Sequence, residues 1–328
     1  MIALLLALAQ ALPQKGEPPL SAQTQVSGGE RPAEQLALAF RAADLSFDLD
    51  PAKRRLAGRA VLTFEAKAPV ARIMIDLDSN YAVSAVAVDG KAAQFERPDG
   101  RLVVAHALAK GAKAVVTIAY AGTPHVAVNA PWDDGMVWSQ TPDGRPWYAS
   151  TTEGYCCDIL WPCLDFPTGE PDMATLHITA PKGLKAPSNG RLLRVEPLSD
   201  GRTIWHWQAR HPNTYAIAIN VGPYEEVSGS YKSRFGNTIP LHYWYIPGPG
   251  AKAKAEGLFA EFAPTLDFFE STIGPYPFGD EKVGVVETPH KGMEHQTINA
   301  YGNNYEKKAE GFDWLLDRKS TRLNSSHT

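Results

Sequence analysis

Cysteine is scarce in this chain of 328 residues, which holds three. Cys156, Cys157 and Cys163 lie within eight positions, an odd and clustered set that excludes a disulfide framework. The C-x5-C spacing lacks the second pair that a structural zinc site needs, which leaves buried thiols or at most one local bridge. Long apolar runs are also missing, so beyond the extreme N-terminus no integral membrane segment is expected. A cationic excess is absent too: 36 Asp and Glu outnumber 32 Lys and Arg, for a formal net charge of -4. That balance argues against a nucleic acid partner and against a chain that coats anionic membranes, since both need positive charge. The sequence contains no G-x-S-x-G and no P-loop, and Gly248-Pro249-Gly250 lacks the third glycine of a dinucleotide fingerprint.

What remains is an ordinary globular composition, 44% hydrophobic and 21% charged, in a chain long enough for two domains. The start, Ile2 to Leu8, is apolar but too short to span a bilayer, and Ala9-Gln10-Ala11 has the small-x-small form of a cleavage site. Residues 1–11 therefore read as a signal peptide, although no Lys or Arg precedes the apolar run, and the chain is expected to be secreted or periplasmic.

From about Ala43 to Val221 short alternating runs follow one another. Ile73, Ile75 and Leu77 form one, Val116, Ile118 and Tyr120 another, and Tyr215, Ile217, Ile219 and Val221 a third. Period two predicts half-buried antiparallel strands, with tight turns at Asp89-Gly90 and Asp99-Gly100, where glycine accepts positive φ. The fold class expected is mainly β, opening with an antiparallel β-sandwich over 22–223.

The pattern then changes. A strand from Leu241 to Ile246 precedes Pro-Gly-Pro-Gly at 247–250 and a helical stripe of Leu258, Phe259, Phe262, Leu266 and Phe269, which Pro264 splits and Gly274-Pro275 ends. Residues 224–317 read as the start of an α/β domain, incomplete and below the size at which a domain usually builds its own core. The helix face at Phe262 and Leu266 is therefore expected to be exposed and the chain poorly soluble. The polar stretch 318–328 resembles translated adapter or vector sequence and is set aside as an artefactual tail.

Lys291-Gly292-Met293-Glu294-His295, after the strand-like Val283 to Glu287, resembles the G-A-M-E-N exopeptidase motif of the aminopeptidase N-type zinc peptidases, the gluzincin aminopeptidases. Met and Glu match; the other three positions differ. Three further features carry the resemblance. Trp161-Pro162-Cys163-Leu164-Asp165-Phe166-Pro167 is similar to the family's F-P-C-x-D-x-P signature, and Glu153 lies twelve residues before Asp165, where the family has a second amine-binding carboxylate. Gly274-Pro275-Tyr276-Pro277-Phe278 resembles the G-x-Y-P run that precedes the exopeptidase motif. The order of parts is also the family's, which implies that 224–317 begins a thermolysin-like α/β catalytic domain.

The resemblance implies an aminopeptidase whose partners are peptide N-termini, with Glu153 and Glu294 holding the substrate ammonium. Charge-assisted hydrogen bonds of about 1.5–3 kcal/mol each would separate that ammonium from internal amides. The backbone around Lys291 to Met293 would act as an edge strand beside the peptide, and Gly292, without a Cβ, suits close backbone approach. A lone glutamate near a strand end is ordinarily a solvated surface residue; the shared order and spacing single these two out. Trp161 and Phe166 read as packing residues, and Asp165 as a brace for its loop.

Catalysis in the family is implied to need Zn2+ held by H-E-x-x-H on a helix and a later glutamate. None of the nine histidines begins that pattern. His290 and His295 are five apart, about 140° round a helix, and could not share a face. Residues 311–316 look like the first turn of the zinc helix, followed by the tail, so this chain is expected to be inactive, without catalytic or metal residues and without bound zinc. Two alternatives stay open: a non-catalytic β-sandwich protein that binds partners, and an epoxide-hydrolase-like relative with the same motifs.

Overall fold

A computed structural model of the chain describes residues 11–153, 157–309, 311, 313, 315 and 316. The expected signal peptide, apart from Ala11, and the tail at 318–328 lie outside the described residues, as does Cys156.

Alternation along the strand Lys113–Gly122 buries every second side chain, Val116, Ile118 and Tyr120 among them, as period two requires. That strand belongs to a sheet of eight. In spatial order its members are Arg191–Pro197, Thr203–Arg210, Met173–Ala180, Leu38–Asp50, Arg55–Ala66, Lys113–Gly122, Tyr81–Val88 and Lys91–Ala92. Two sheets of three cover its inner face. One joins Ile73–Asp76, Arg101–Val104 and Phe95–Glu96; the other joins Asn220–Val221, Pro146–Thr151 and Gly135–Gln140. A single apolar core takes Leu45, Phe47, Leu62 and Ile118 from the large sheet and Ile75, Leu102, Met136 and Tyr148 from the small ones. The expected sandwich is present, with one departure: Leu38–Asp50 pairs in parallel with Met173–Ala180. The long intervening chain builds the second layer and so can return to the same end of the sheet, as a parallel pair demands.

Local signals hold at the turns. Asp89 and Gly90 both have positive φ and link Val88 to its partner Lys91 as a two-residue hairpin loop, the geometry for which Asp-Gly is favoured. The segment Tyr215 to Val221 differs from expectation, because only Asn220–Val221 joins a ladder and Thr214–Ala216 forms a 3-10 turn. Ile217, Ala218 and Ile219 are all buried, so both faces of the segment lie in the interior. Side chains serve its backbone instead: Asn189 Oδ1 accepts from Ala218 N, Ser188 Oγ donates to Ala218 O, and Ser150 Oγ accepts from Ile219 N.

The remaining sheet runs, in spatial order, Glu225–Lys232, Thr238–Tyr245, Val283–Glu287, Asn299–Tyr301 and Gly292–Met293. Its two helices, Ala251–Phe259 and Phe262–Thr272, are separated at Ala260 and Glu261. Pro264 stands third in the second helix, within the first turn, where its missing N–H costs nothing. Phe262 and Leu266 are buried against Ile239, Tyr243 and Tyr301, so the helix face expected to be exposed is covered by the chain's own sheet. The opposite face of that sheet sends Trp244 and Val286 into the sandwich core, joined by Ile298 just before Asn299–Tyr301. Asp313 Oδ1 accepts from the amides of Leu315 and Leu316, a helix N-cap at the place where the first turn was expected.

Cys157 and Cys163 form one local disulfide, the bridge left open by the sequence. It brackets Trp161, buried in the core, and precedes a buried polar cluster. Arg31 lies 3.8 Å from Asp76 and 3.5 Å from Asp165. Gln35 Nε2 and the Asp165 amide both donate to Asp76 Oδ2, and Asp165 Oδ1 accepts from Cys157 N. Asp165 thus braces its loop as expected, and Phe166 packs its ring 5.8 Å from the Arg31 guanidinium carbon. Arg101 also approaches Asp76, at 3.7 Å. Burial pushes Asp165 up to about 7 and raises Asp76 and Asp158, outweighing the pull of Arg31 on the first two.

A carboxyl that ionises at about 7 when folded and near 4 when unfolded keeps a proton on folding between those values. Its stabilisation is complete below about pH 4 and is lost as pH rises through about 7. Urea unfolding from pH 4.5 to 8 should show that loss, reduced in Asp165→Asn. Arg31→Met should cost about 3–5 kcal/mol at pH 8, where it strands buried charge, and less at pH 5.

Candidate functional site

The segment 288–298 leaves the strand Val283–Glu287, forms the short strand Gly292–Met293 and returns to Asn299–Tyr301. Gly292 pairs with Tyr301 and Met293 with Ala300, antiparallel, and Gly292–Met293 is the outermost strand of its sheet. A Cβ on Gly292, at φ +150°, would come within 2.7 Å of Ala300 O. The close approach this glycine permits is therefore that of the neighbouring strand. Met293 is buried, and Glu294 retains 8% of its surface, so it is not the solvated residue that a lone glutamate usually is. His290 and His295 are buried on a non-helical stretch, so the helical angle between them does not apply.

Beyond Glu294 the segment is tied to the sandwich. Asn189 Nδ2 donates to Gln296 O at 2.7 Å and to Ala216 O at 2.7 Å, while Thr297 Oγ1 accepts from Gly190 N at 2.7 Å. Gln296 Oε1 accepts from Asn213 N and its Nε2 donates to Arg210 O. Lys282 reaches across as well, its Nζ donating to the carbonyls of Ser188 and Gly190.

Glu153 follows the strand Pro146–Thr151 and is half-buried. Its amide donates to Asp134 Oδ1. Thr152, just before it, donates to Tyr215 O and lies with Oγ1 3.5 Å from His295 Nε2. The residue before Glu153 and the residue after Glu294 are thus in contact although 143 positions separate them. Sequence reasoning missed the turn that joins these segments. Trp132, 62% exposed, has its ring 5.5 Å from Lys291 Nζ, and Asp134 two residues on holds Glu153. The run Pro131-Trp132-Asp133-Asp134-Gly135, an exposed aromatic among turn-forming acids, was the available signal.

No family model and no curated protein matches the sequence. Solved structures do. An M1 zinc metallopeptidase from Deinococcus radiodurans, as a glutamate-to-alanine mutant bound to a Tyr-Ser-Ala substrate, is similar over 88% of this chain and 64% of its own, with TM-score 0.71 and 22% identity. The M1 zinc metallopeptidase from the same organism matches over 88% and 62%, with TM-score 0.69 and 24% identity. A two-domain M1 zinc metallopeptidase mutant bound to L-arginine gives 0.71 and 22%, over 88% and 64%. The chain has the M1 zinc metallopeptidase fold. It spans just under two thirds of the length of these M1 structures.

The mainly β architecture expected from the sequence is that of the M1 fold's front part. The M1 neighbours are zinc metallopeptidases. The sequence lacks H-E-x-x-H, and among the described residues no three His, Cys, Asp or Glu side chains converge on a point that could hold a metal. No helix among the described residues is long and apolar enough to cross a membrane.

Asn189 is fully buried; it bonds Ala216 O and Ala218 N within the sandwich and Gln296 O across the junction. Asn189→Ala leaves the Ala218 N–H and the Ala216 carbonyl without that partner, while the Gln296 carbonyl keeps Thr297 Oγ1, and should lower the unfolding free energy by about 2–3 kcal/mol. Urea denaturation measures this, and amide exchange at Ala218 should quicken first.

Proposed function

We propose that this chain is the amine-recognising part of an M1-type zinc aminopeptidase, with Glu153 and Glu294 holding the ammonium group of a peptide N-terminus. The contact between Thr152 and His295 carries the reading, because it brings the segments bearing both glutamates together from distant parts of the chain. An ammonium has three donors and a full charge, which two carboxylates can accept; an internal amide offers neither. Gly292 and Met293 sit on an outer strand of the sheet with no further strand beside it among the described residues, where an extended peptide adds as a further strand. The M1 neighbours are bound to a tripeptide, to L-arginine and to L-tryptophan. Those ligands differ in side chain and share an α-ammonium, which supports recognition of that group.

The reading includes a sandwich over 22–223, a catalytic-type α/β part over 224–317 and export after loss of 1–11. The Cys157–Cys163 bridge supports export, since structural disulfides persist in oxidising compartments. Peptide hydrolysis would need zinc ligands that these 328 residues do not supply, so we read the chain itself as a binder of N-termini without turnover.

Calorimetric titration with Tyr-Ser-Ala and its N-acetylated form tests the proposal. The free amine should bind and the acetylated peptide should not; Glu294→Gln and Glu153→Gln should each weaken binding by at least about tenfold. Equal binding of both peptides would refute amine recognition. Zinc-dependent release of anilide from an aminoacyl anilide would refute the absence of turnover and leave amine recognition standing.

A further inference from the structure

Between the edge of the eight-stranded sheet and the five-stranded sheet lies a cavity of about 360 Å³, within the range of small-molecule sites. Two aromatic ladders wall it. Trp205 and Trp207 alternate along Thr203–Arg210 with ring planes 15° apart and centroids 6.4 Å apart. His242 and Trp244 alternate along Thr238–Tyr245, 10° and 5.2 Å apart. The ladders meet where Trp207 and Trp244 stand edge to face at 6.0 Å, which makes a wedge. Trp207 and Trp244 are buried at its closed end, and Trp205 is partly exposed.

The polar groups of the wedge narrow the ligand class. Lys282 is buried at the closed end, its Nζ 4.7 Å from the Trp207 centroid and 6.0 Å from that of Trp244. Glu281 is 5% exposed; its Oε1 accepts from Arg210 N at 2.7 Å, while the enclosed Oε2 has no hydrogen-bond partner among the described residues. Glu226 and Arg191 also line it, with Glu226 paired to His242 Nδ1 at 2.5 Å. A cationic ligand suits aromatic faces, but the Lys282 amine, which burial lowers to about 7, already occupies the face of Trp207. An anion would meet two carboxylates and the negative ring faces. A neutral molecule with one apolar face and several hydroxyls satisfies both constraints.

We propose that this wedge binds a neutral sugar ring, stacked by its C–H face on Trp205, with one hydroxyl donating to the Glu226 carboxylate and another accepting from Arg191. The site is built from residues other than Glu153 and Glu294, so it stands or falls independently of amine recognition.

The test is titration of the full 328-residue chain with maltohexaose, cellohexaose and xylohexaose, followed by tryptophan fluorescence. At least one should give a saturable change, weakened about tenfold or more in Trp205→Ala, and Trp205→Phe, which keeps a ring, should retain most of the binding. Circular dichroism checks that both variants fold. No saturable response to any of the three sugars overturns the proposal. So does sugar binding that Trp205→Ala leaves unchanged, or a response to tetramethylammonium or sulfate in place of the sugars.

Discussion

The candidate site depends on a seam of buried hydrogen bonds between the sandwich and the five-stranded sheet. Asn189, Gly190 and Asn213 on one side meet Gln296 and Thr297 on the other. Apolar packing alone tolerates sliding, because it has little directional preference. Buried amides and carbonyls do not, since each displaced bond leaves a polar group stranded in the interior. Residues that touch no ligand in the proposed mechanism therefore fix where Glu294 stands relative to Glu153, and the edge strand before Glu294 inherits its position from the same seam.

The five-stranded sheet serves both sides by simple alternation. Along Thr238–Tyr245, Tyr243 and Tyr245 join the core beneath the helices, while His242 and Trp244 face the sandwich. Aromatic side chains bury large areas, which suits a sheet that must be covered twice. That two-sided burial is also why the helix Phe262–Thr272 finds a surface to cover within this chain.

Legibility followed range along the sequence. The Asp89-Gly90 turn and the helix break near Pro264 are local backbone effects and could be read directly. Strand alternation was visible wherever one face meets solvent. It misled at Tyr215 to Val221, where both faces are interior and side chains replace the ladder. The exposure expected at Phe262 and Leu266 failed for a related reason: size alone gives no account of a sheet assembled from strands far apart in sequence. Motif and spacing marked Glu153 and Glu294, and Asp165 was read as a brace. Asn189 and Trp132 carried no motif, because their roles arise from neighbours that only the folded chain supplies.

The parallel pairing of Leu38–Asp50 with Met173–Ala180 bears on how the chain reaches this state. Ala42 must find Met173, so the middle of the large sheet cannot close until most of the sandwich has been synthesised. Closing so long a loop comes late and slowly, as in other topologies of high contact order. Until then Leu38–Asp50 has only Arg55–Ala66 beside it and presents an open edge to the cell, so a nascent chain stalled before Met173 would be a natural client for a chaperone that shields unpaired strands.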